Sequence, residues 1–393
     1  MEKNVQDLLR YRAGLFRTAS GFEKKPERVP HLSNYITWPI FDAGYQLTEA
    51  INDYDKMENV VVNHITKYQW DAIIGYGVRN RNRVVRELNA EFYKIDDEAG
   101  SISVKDYSLV EGNELLELAK DPIKMMWEVC LGRKFASFNP DMPLEQFQRV
   151  VNENLLFDQF ASRIIGRAIN EFGLPAITDG SLGSAYFGME NLFSMLRGIR
   201  GFSIDMRRNK EAMKVALEAL DALYVYPSIE KIKQSTYGPN ENTCWDYGLG
   251  FLAPTVMNRK QFEEMYWPSI EKVCDALAEK GKSVRVIIQG KSEPFIPFFY
   301  ERYPHNMFTY LLETDDIFAI REKYPDVPLA GGMTDTFLGS ASVQEVLERA
   351  KLLVREIGAE GGYIMTQDKM GSFRNDGNAD NLKALCNFMA NEQ

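Results

Sequence analysis

Histidine and paired cysteine are what this sequence has least of. Three histidines, His31, His64 and His305, are spread over 393 residues, and none stands near another histidine or a cysteine. A zinc site of the usual nitrogen and sulfur kind is therefore poorly supplied. The four cysteines, Cys130, Cys244, Cys274 and Cys386, share no C-x-x-C spacing, which reads as free thiols in a reduced, cytoplasmic compartment. Nowhere do about 18 apolar residues run together, so no transmembrane helix is expected. The opening MEKNVQDLLRYRAGLF is charged and amphipathic, without the apolar core of a signal peptide. Basic residues are outnumbered, 46 against 56 acidic, for a formal net charge of −10. That balance argues against nucleic acid as a main partner, because phosphate binding needs clustered positive charge. Internal repeats, low-complexity tracts and linkers rich in Gly, Pro and Ser are also missing.

What is present is ordinary globular composition, 45% apolar and 26% charged, with a clear rhythm in its second half. Asn258 opens an amphipathic helix that places Phe262, Tyr266, Ile270, Val273 and Leu277 on one face. Short apolar runs follow at Val284 to Ile288, Phe308 to Leu312, Pro328 to Met333 and Tyr363 to Met365. Ser342 and Glu345 form a capping box for a helix that buries Val346, Leu347, Ala350, Leu353, Val354 and Ile357. Earlier, Trp70 to Tyr76, Leu174 to Asp179 and Thr243 to Leu252 read as further strands, and Tyr35 to Phe41 as the first.

Short apolar strands alternating with helices imply parallel strands covered on both faces. Each run in the second half ends in polar or charged residues, a one-sided asymmetry that suits an α/β fold of the (β/α)₈ TIM-barrel type with its chemistry at one rim. A doubly wound open sheet also alternates. The expected layout is one barrel domain over 1–393, with an N-terminal helical extension over 1–30 and a helical elaboration over 84–170.

Several segments together resemble the uroporphyrinogen decarboxylase superfamily. LLRYRAGLFRTASGFEKKPERVPHLSNY looks like its opening helix and turn, YQWDAIIGY like its second strand, AGGMTDTFL like its glycine and aspartate strand end, and GGYIMTQDK like its last strand. The resemblance runs in order along nearly the whole chain and implies a (β/α)₈ barrel, either a decarboxylase or a methyltransferase of the methylcobalamin:coenzyme M type. Where the decarboxylases carry the aspartate that steers pyrrole nitrogens, this chain has Val78, and their first-strand arginines are replaced by Phe41 to Gln46. The three zinc-ligand positions of the coenzyme M methyltransferases read Ile287, Gln289 and Lys369. Nitrogen and sulfur ligands are gone there and a lysine would repel the ion, so no bound metal is expected.

Candidate site residues follow from these strand ends. Asp42 and Tyr45 would hold an acid or a hydrogen-bond donor over the mouth, or cap a turn beside Gly44. Tyr76 ends the second strand, and Arg79, Arg81 and Arg83 after it would clamp a carboxylate bidentately or form a solvated face. Asp179 and Tyr186 flank a glycine-rich turn, and the resemblance puts Tyr186 where the decarboxylases keep an active-site tyrosine. Asp246 and Tyr247 stand in an otherwise apolar strand, where an acid needs a partner or a purpose. Gln289 would orient a neutral substrate oxygen. Glu313, Asp335 and Asp368 with Lys369 end the last three strands, where converging ionisable groups shift one another and can supply acid–base chemistry.

The resemblance then implies a corrinoid-dependent methyltransferase. It would pass a methyl group from a small methylated donor, such as an aryl methyl ether, to a corrinoid (cobalamin) carried by a separate corrinoid-binding protein. Glu313, Asp335, Lys369 and Tyr186 are the expected catalytic groups. A decarboxylase of a smaller carboxylated substrate is the alternative, and a non-catalytic barrel that binds a corrinoid protein is a third reading.

Overall fold

The computed structural model describes residues 4–22, 24–75, 81–90, 93–139 and 141–393. Five strands make its central parallel sheet, in the order β5 (Tyr247–Phe251), β6 (Val284–Ile288), β7 (Phe308–Leu311), β8 (Leu329–Met333) and β9 (Tyr363–Gln367). The sheet continues at both edges. Beyond β9, His31 bridges to Met365 in parallel and leads into β1 (Leu32–Ser33), which pairs in parallel with β2 (Ala72–Ile73). Before β5, Ala176 bridges to Thr243, and Trp245 N and Asp179 N donate to Ile177 O and Asp246 O. Eight parallel segments therefore follow one another through hydrogen bonds in chain order, once β3 (Tyr93–Asp96) and β4 (Ser101–Val104), a separate antiparallel hairpin, are set aside. Among the described residues no ladder joins β2 to the 174–179 segment.

The two faces of the sheet follow from period-two alternation. On the outer face Val284, Val286 and Ile288 of β6 join the large core shared with the helices. On the inner face a second apolar cluster gathers Leu32, Ala72, Cys244, Trp245, Leu311, Ala330 and Ile364, with Ile74, Ile177 and Ile287 packed against it. Seven of the eight segments, or the residues just after them, contribute to it, and the eighth, β5, is represented by Cys244 and Trp245 just before it. Phe16 and Ala19 of the helix Val5–Gly21 belong to the same cluster and cover its lower end, with Phe16 edge-on to Trp245 at 5.5 Å.

The helices mostly follow their sequence signals. Ser342 and Glu345 form the expected reciprocal cap on Val343–Glu356, and Val346, Ala350 and Leu353 are buried, each large one contributing about 1.5–3 kcal/mol. The helix from Asn258 is two helices, Arg259–Met265 and Trp267–Glu279. Pro268 lies in the first turn of the second, where its missing N–H costs nothing, and the break falls at Tyr266. The elaboration over 84–170 is chiefly helical, ending in the 27-residue helix Leu144–Asn170, and also holds the β3–β4 hairpin. The first strand needs correcting: it is Leu32–Ser33, whereas Trp38–Asp42 is a short helix with Pro39 in its first turn. Proline cannot donate to a ladder but starts a helix readily. No helix among the described residues is long and apolar enough to cross a membrane.

Candidate functional site

The space at the C-terminal ends of the strands is opened by β5. Its sequence Tyr-Gly-Leu-Gly-Phe sends Tyr247, Leu249 and Phe251 outward into the core and leaves Gly248 and Gly250 facing in. A Cβ on Gly250 would meet nothing within 4 Å, and one on Gly248 would rest 3.4 Å from Thr178 Cγ2 and Arg285 Nη2. Two glycines on one face thus leave a lumen where side chains would otherwise interlock. On the neighbouring β6, Arg285, Ile287 and then Gln289 alternate along the same inner face, with Gln289 exposed at its top.

The acids at the mouth come from the last strands. Asp368 follows β9, and its Oδ1 accepts the backbone N–H of Asp335 at 3.0 Å and of Lys369 at 3.0 Å. Burial pushes the Asp368 carboxyl above the usual range, against the pull of those N–H groups and of Lys369. Asp335 opens the helix Asp335–Ser340 and is fully buried, with neither carboxylate oxygen hydrogen-bonded. Burial, then the charges of Asp368 and Asp376, push its carboxyl up to about 9, so it is neutral at pH 7.

The loop after β9 seals Asp335 in. Gly371 pairs with the chain leaving β1: Gly371 N donates to Asn34 O at 3.0 Å and Ile36 N to Gly371 O at 2.9 Å. Any Cβ at Gly371 would collide with the Tyr35 ring at 2.2 Å, so only glycine permits this approach. Around it, Asn34 Oδ1, Thr366 Oγ1 and Gln367 Nε2 are also buried without partners among the described residues.

Glu313 ends the segment after β7 and its Oε2 accepts the N–H of Gly290, which ties the ends of β6 and β7 together. It is not among the charges that shift Asp335. The structure therefore brings Asp335, Asp368 and Lys369 into one group, with Lys369 exposed, and sets Glu313 and Gln289 beside the lumen on their own strands.

Other expected positions serve the scaffold. Asp246 lies at the opposite, N-terminal end of the sheet: its Oδ1 accepts Asn240 N at 2.6 Å and its Oδ2 accepts Ser283 N and Oγ, both at 2.8 Å. It pins two loops together. Tyr247 points outward, its hydroxyl 2.8 Å from Ser228 Oγ on the helix Lys210–Gln234. Asp179 caps its own turn through Ser181 and accepts Asn240 Nδ2 at 2.9 Å. Asp42 forms a 2.6 Å ion pair with Lys67, and Tyr45 packs against the core beside Lys56. Arg81 and Arg83 are taken up by Asp158 and Glu153 at 2.7 and 2.6 Å, which removes them as a carboxylate clamp. Tyr186 is exposed next to buried Phe187. Tyr76, Val78 and Arg79 lie outside the described residues.

Two residues passed unnoticed in the sequence. Glu190 is buried, and its Oε1 accepts Leu252 N, Ala253 N and Tyr266 Oη within 3.1 Å, so it shapes the loop after β5. Burial raises its carboxyl above the usual range. Arg285 sits inside an apolar run, and its inner-face register was readable from the alternation Val-Arg-Val-Ile-Ile.

No protein-family model matches the chain, and no curated protein matches it. Among solved structures, a methyltransferase from Methanosarcina mazei shares its fold over 99% of each chain, with a TM-score of 0.56 at 15% identity. At that identity the likeness is one of fold. Among the described residues no group of three or more His, Cys, Asp and Glu side chains is placed to hold a metal ion.

Proposed function

We propose that the chain is a methyltransferase of (β/α)₈-barrel architecture that takes a methyl group from a small methylated donor, a methyl ether in preference to a thiol. The observation that carries the reading is the fold shared along 99% of both chains with a methyltransferase. Barrel closure, with β2 beside the 174–179 segment, is part of the reading and is supported by the single inner cluster that gathers Ala72 and Ile74 of the β2 stretch with Ile177. The mouth supports it chemically. Methyl ethers leave as alkoxides or phenoxides, and an acid that still holds its proton near pH 7 lowers that barrier. As the bond from oxygen to methyl breaks, its electron pair goes to oxygen, and the proton comes from the Asp335–Asp368 pair, of which Asp335 is the member that holds it at pH 7. Gln289 holds the ether oxygen by an N–H, and Asp368, whose Oδ1 accepts the N–H of Asp335, passes the proton of the pair outward.

A corrinoid carried by a partner protein would supply the nucleophile that receives the methyl group. The fit rests on the rim: Leu252 and Val256 after β5, and Met370 and Phe373 after β9, are large apolar side chains left exposed around the opening. Such a patch suits a docked partner. The carboxy-lyase alternative loses its clamp, since Arg81 and Arg83 are already paired.

The test incubates the chain with reduced cobalamin and, one at a time, methyl ethers, methylamines and methyl thiols. Growth of the methylcobalamin spectrum with an ether supports the proposal. No spectral change with any donor overturns it.

A further inference from the structure

Arg285 is the one strongly charged group on the inner face of β6, and it has no counter-ion among the described residues. Its Nε and Nη1 are sealed from solvent with no hydrogen-bond partner among the described residues, and no salt bridge reaches it. Its inner-face neighbours in register are Gly248 on β5 and Thr309 on β7. Thr309 Oγ1 is already engaged by Trp245 Nε1 at 2.9 Å. The Cys244 thiol close by is held neutral, because burial pushes it well above its ordinary value. Burial pulls Arg285 down to about 10, which still leaves it cationic at pH 7.

A buried cation without a partner costs several kcal/mol, and folded proteins keep such groups when something else compensates them. Among the described residues no acid does so here. Tying the guanidinium down would have needed only an acid at position 248 or 309. Instead position 248 is glycine, and Nη2 lies 3.4 Å from where its Cβ would stand, while open space follows above at Gly250.

We propose that Arg285 is the floor of a carboxylate-binding subsite, and that the substrate carries one carboxylate which this guanidinium holds while its reacting end lies at the mouth. Guanidinium and carboxylate match as a planar, two-bond pair. A single cation at the floor matches a monoanion; a phosphate dianion would want a second cation or a row of backbone N–H groups. Gln289 stands four residues above Arg285 on the same face, roughly 13 Å along the strand, so the substrate is an elongated small molecule that fills the glycine-lined channel. This deepens the reading of the mouth as the substrate site and rests on that reading for its location alone.

The test is calorimetric titration of the full chain with acetate and benzoate against their neutral counterparts acetamide and benzamide, and with inorganic phosphate. Benzoate should bind at least tenfold more tightly than benzamide and more tightly than phosphate, and Arg285→Gln should erase the preference for the acid. Equal affinity for acid and amide, no binding of either acid, tighter binding of phosphate, or a preference that survives Arg285→Gln overturns the proposal. A second variant guards against a purely structural role. Arg285→Met removes the unpaired charge and should raise the unfolding midpoint of the ligand-free chain; a lowered midpoint overturns the proposal. The titration needs no methyl transfer. Carboxylate binding at Arg285 in a chain that transfers no methyl group therefore sinks the activity and leaves the subsite standing.

Discussion

At the N-terminal end of the sheet, Asp71 and Asp246 have both carboxylate oxygens bonded; at the C-terminal end, Asp335 has neither. Asp71 takes Arg28 bidentately at 2.6 and 2.5 Å and also the N–H of His31 at 2.9 Å. Asn34, Thr366 and Gln367, at the other end, keep buried polar atoms without partners. The same sheet thus has a foundation in which polar groups are saturated and a mouth in which they are left open. Buried polar groups without partners cost free energy, and they persist where a ligand or a reaction completes them.

Breaking the foundation should cost most. Asp71→Asn leaves the Arg28 guanidinium without its anion in a buried setting, and is expected to destabilise by about 3–5 kcal/mol, read from denaturant unfolding. The mouth should behave in the opposite way. Asp335 binds its proton more tightly folded than unfolded, so its stabilising effect is complete below about pH 4 and is lost as pH rises toward about 9. Wild-type stability should therefore fall relative to Asp335→Asn across that window, by up to about 1.4 kcal/mol per pH unit. Parallel melting curves of the two proteins at pH 5 and pH 8 check the sign.

Asp368→Asn keeps an oxygen for the N–H groups of Asp335 and Lys369 but cannot pass a proton outward from the pair. Methyl transfer should drop about 100-fold or more with stability nearly unchanged, measured as the initial rate of methylcobalamin formation. In the wild type that rate should decline as pH rises through the raised range of the Asp335–Asp368 pair. Gly250→Ala is the mildest change. Its Cβ meets empty lumen, so stability should shift by under about 1 kcal/mol while benzoate binding weakens by crowding. Unchanged benzoate affinity in that variant would place the ligand elsewhere.

Much of the fold was legible. Val284 to Ile288 and the Ser342–Glu345 cap stand where the pattern predicts them, because alternation and capping are local. The first strand was misplaced, since Tyr-Ile-Thr-Trp-Pro-Ile-Phe is apolar enough for either structure and Pro39 alone hinted at a helix. Of the four strand-end groups expected to converge, Asp335, Asp368 and Lys369 lie together, and Glu313 is not among the charges that act on Asp335. Asp246, Tyr247, Asp42 and Arg81 were not separable from site residues by sequence. A strand position says which residues share a face, but the partner that satisfies a charge comes from a distant loop, as Asn240 and Ser283 do for Asp246.

Sequence by itself determined the alternation of strands and helices, the polar strand ends and the scarcity of metal ligands, because these depend on residue type and spacing. Only the tertiary structure decided which polar groups are spent and which are left over. That sorting depends on distances between segments far apart in the chain. It saturates Asp246 with Asn240 and Ser283, and it leaves Arg285 beside two glycines with no counter-ion among the described residues.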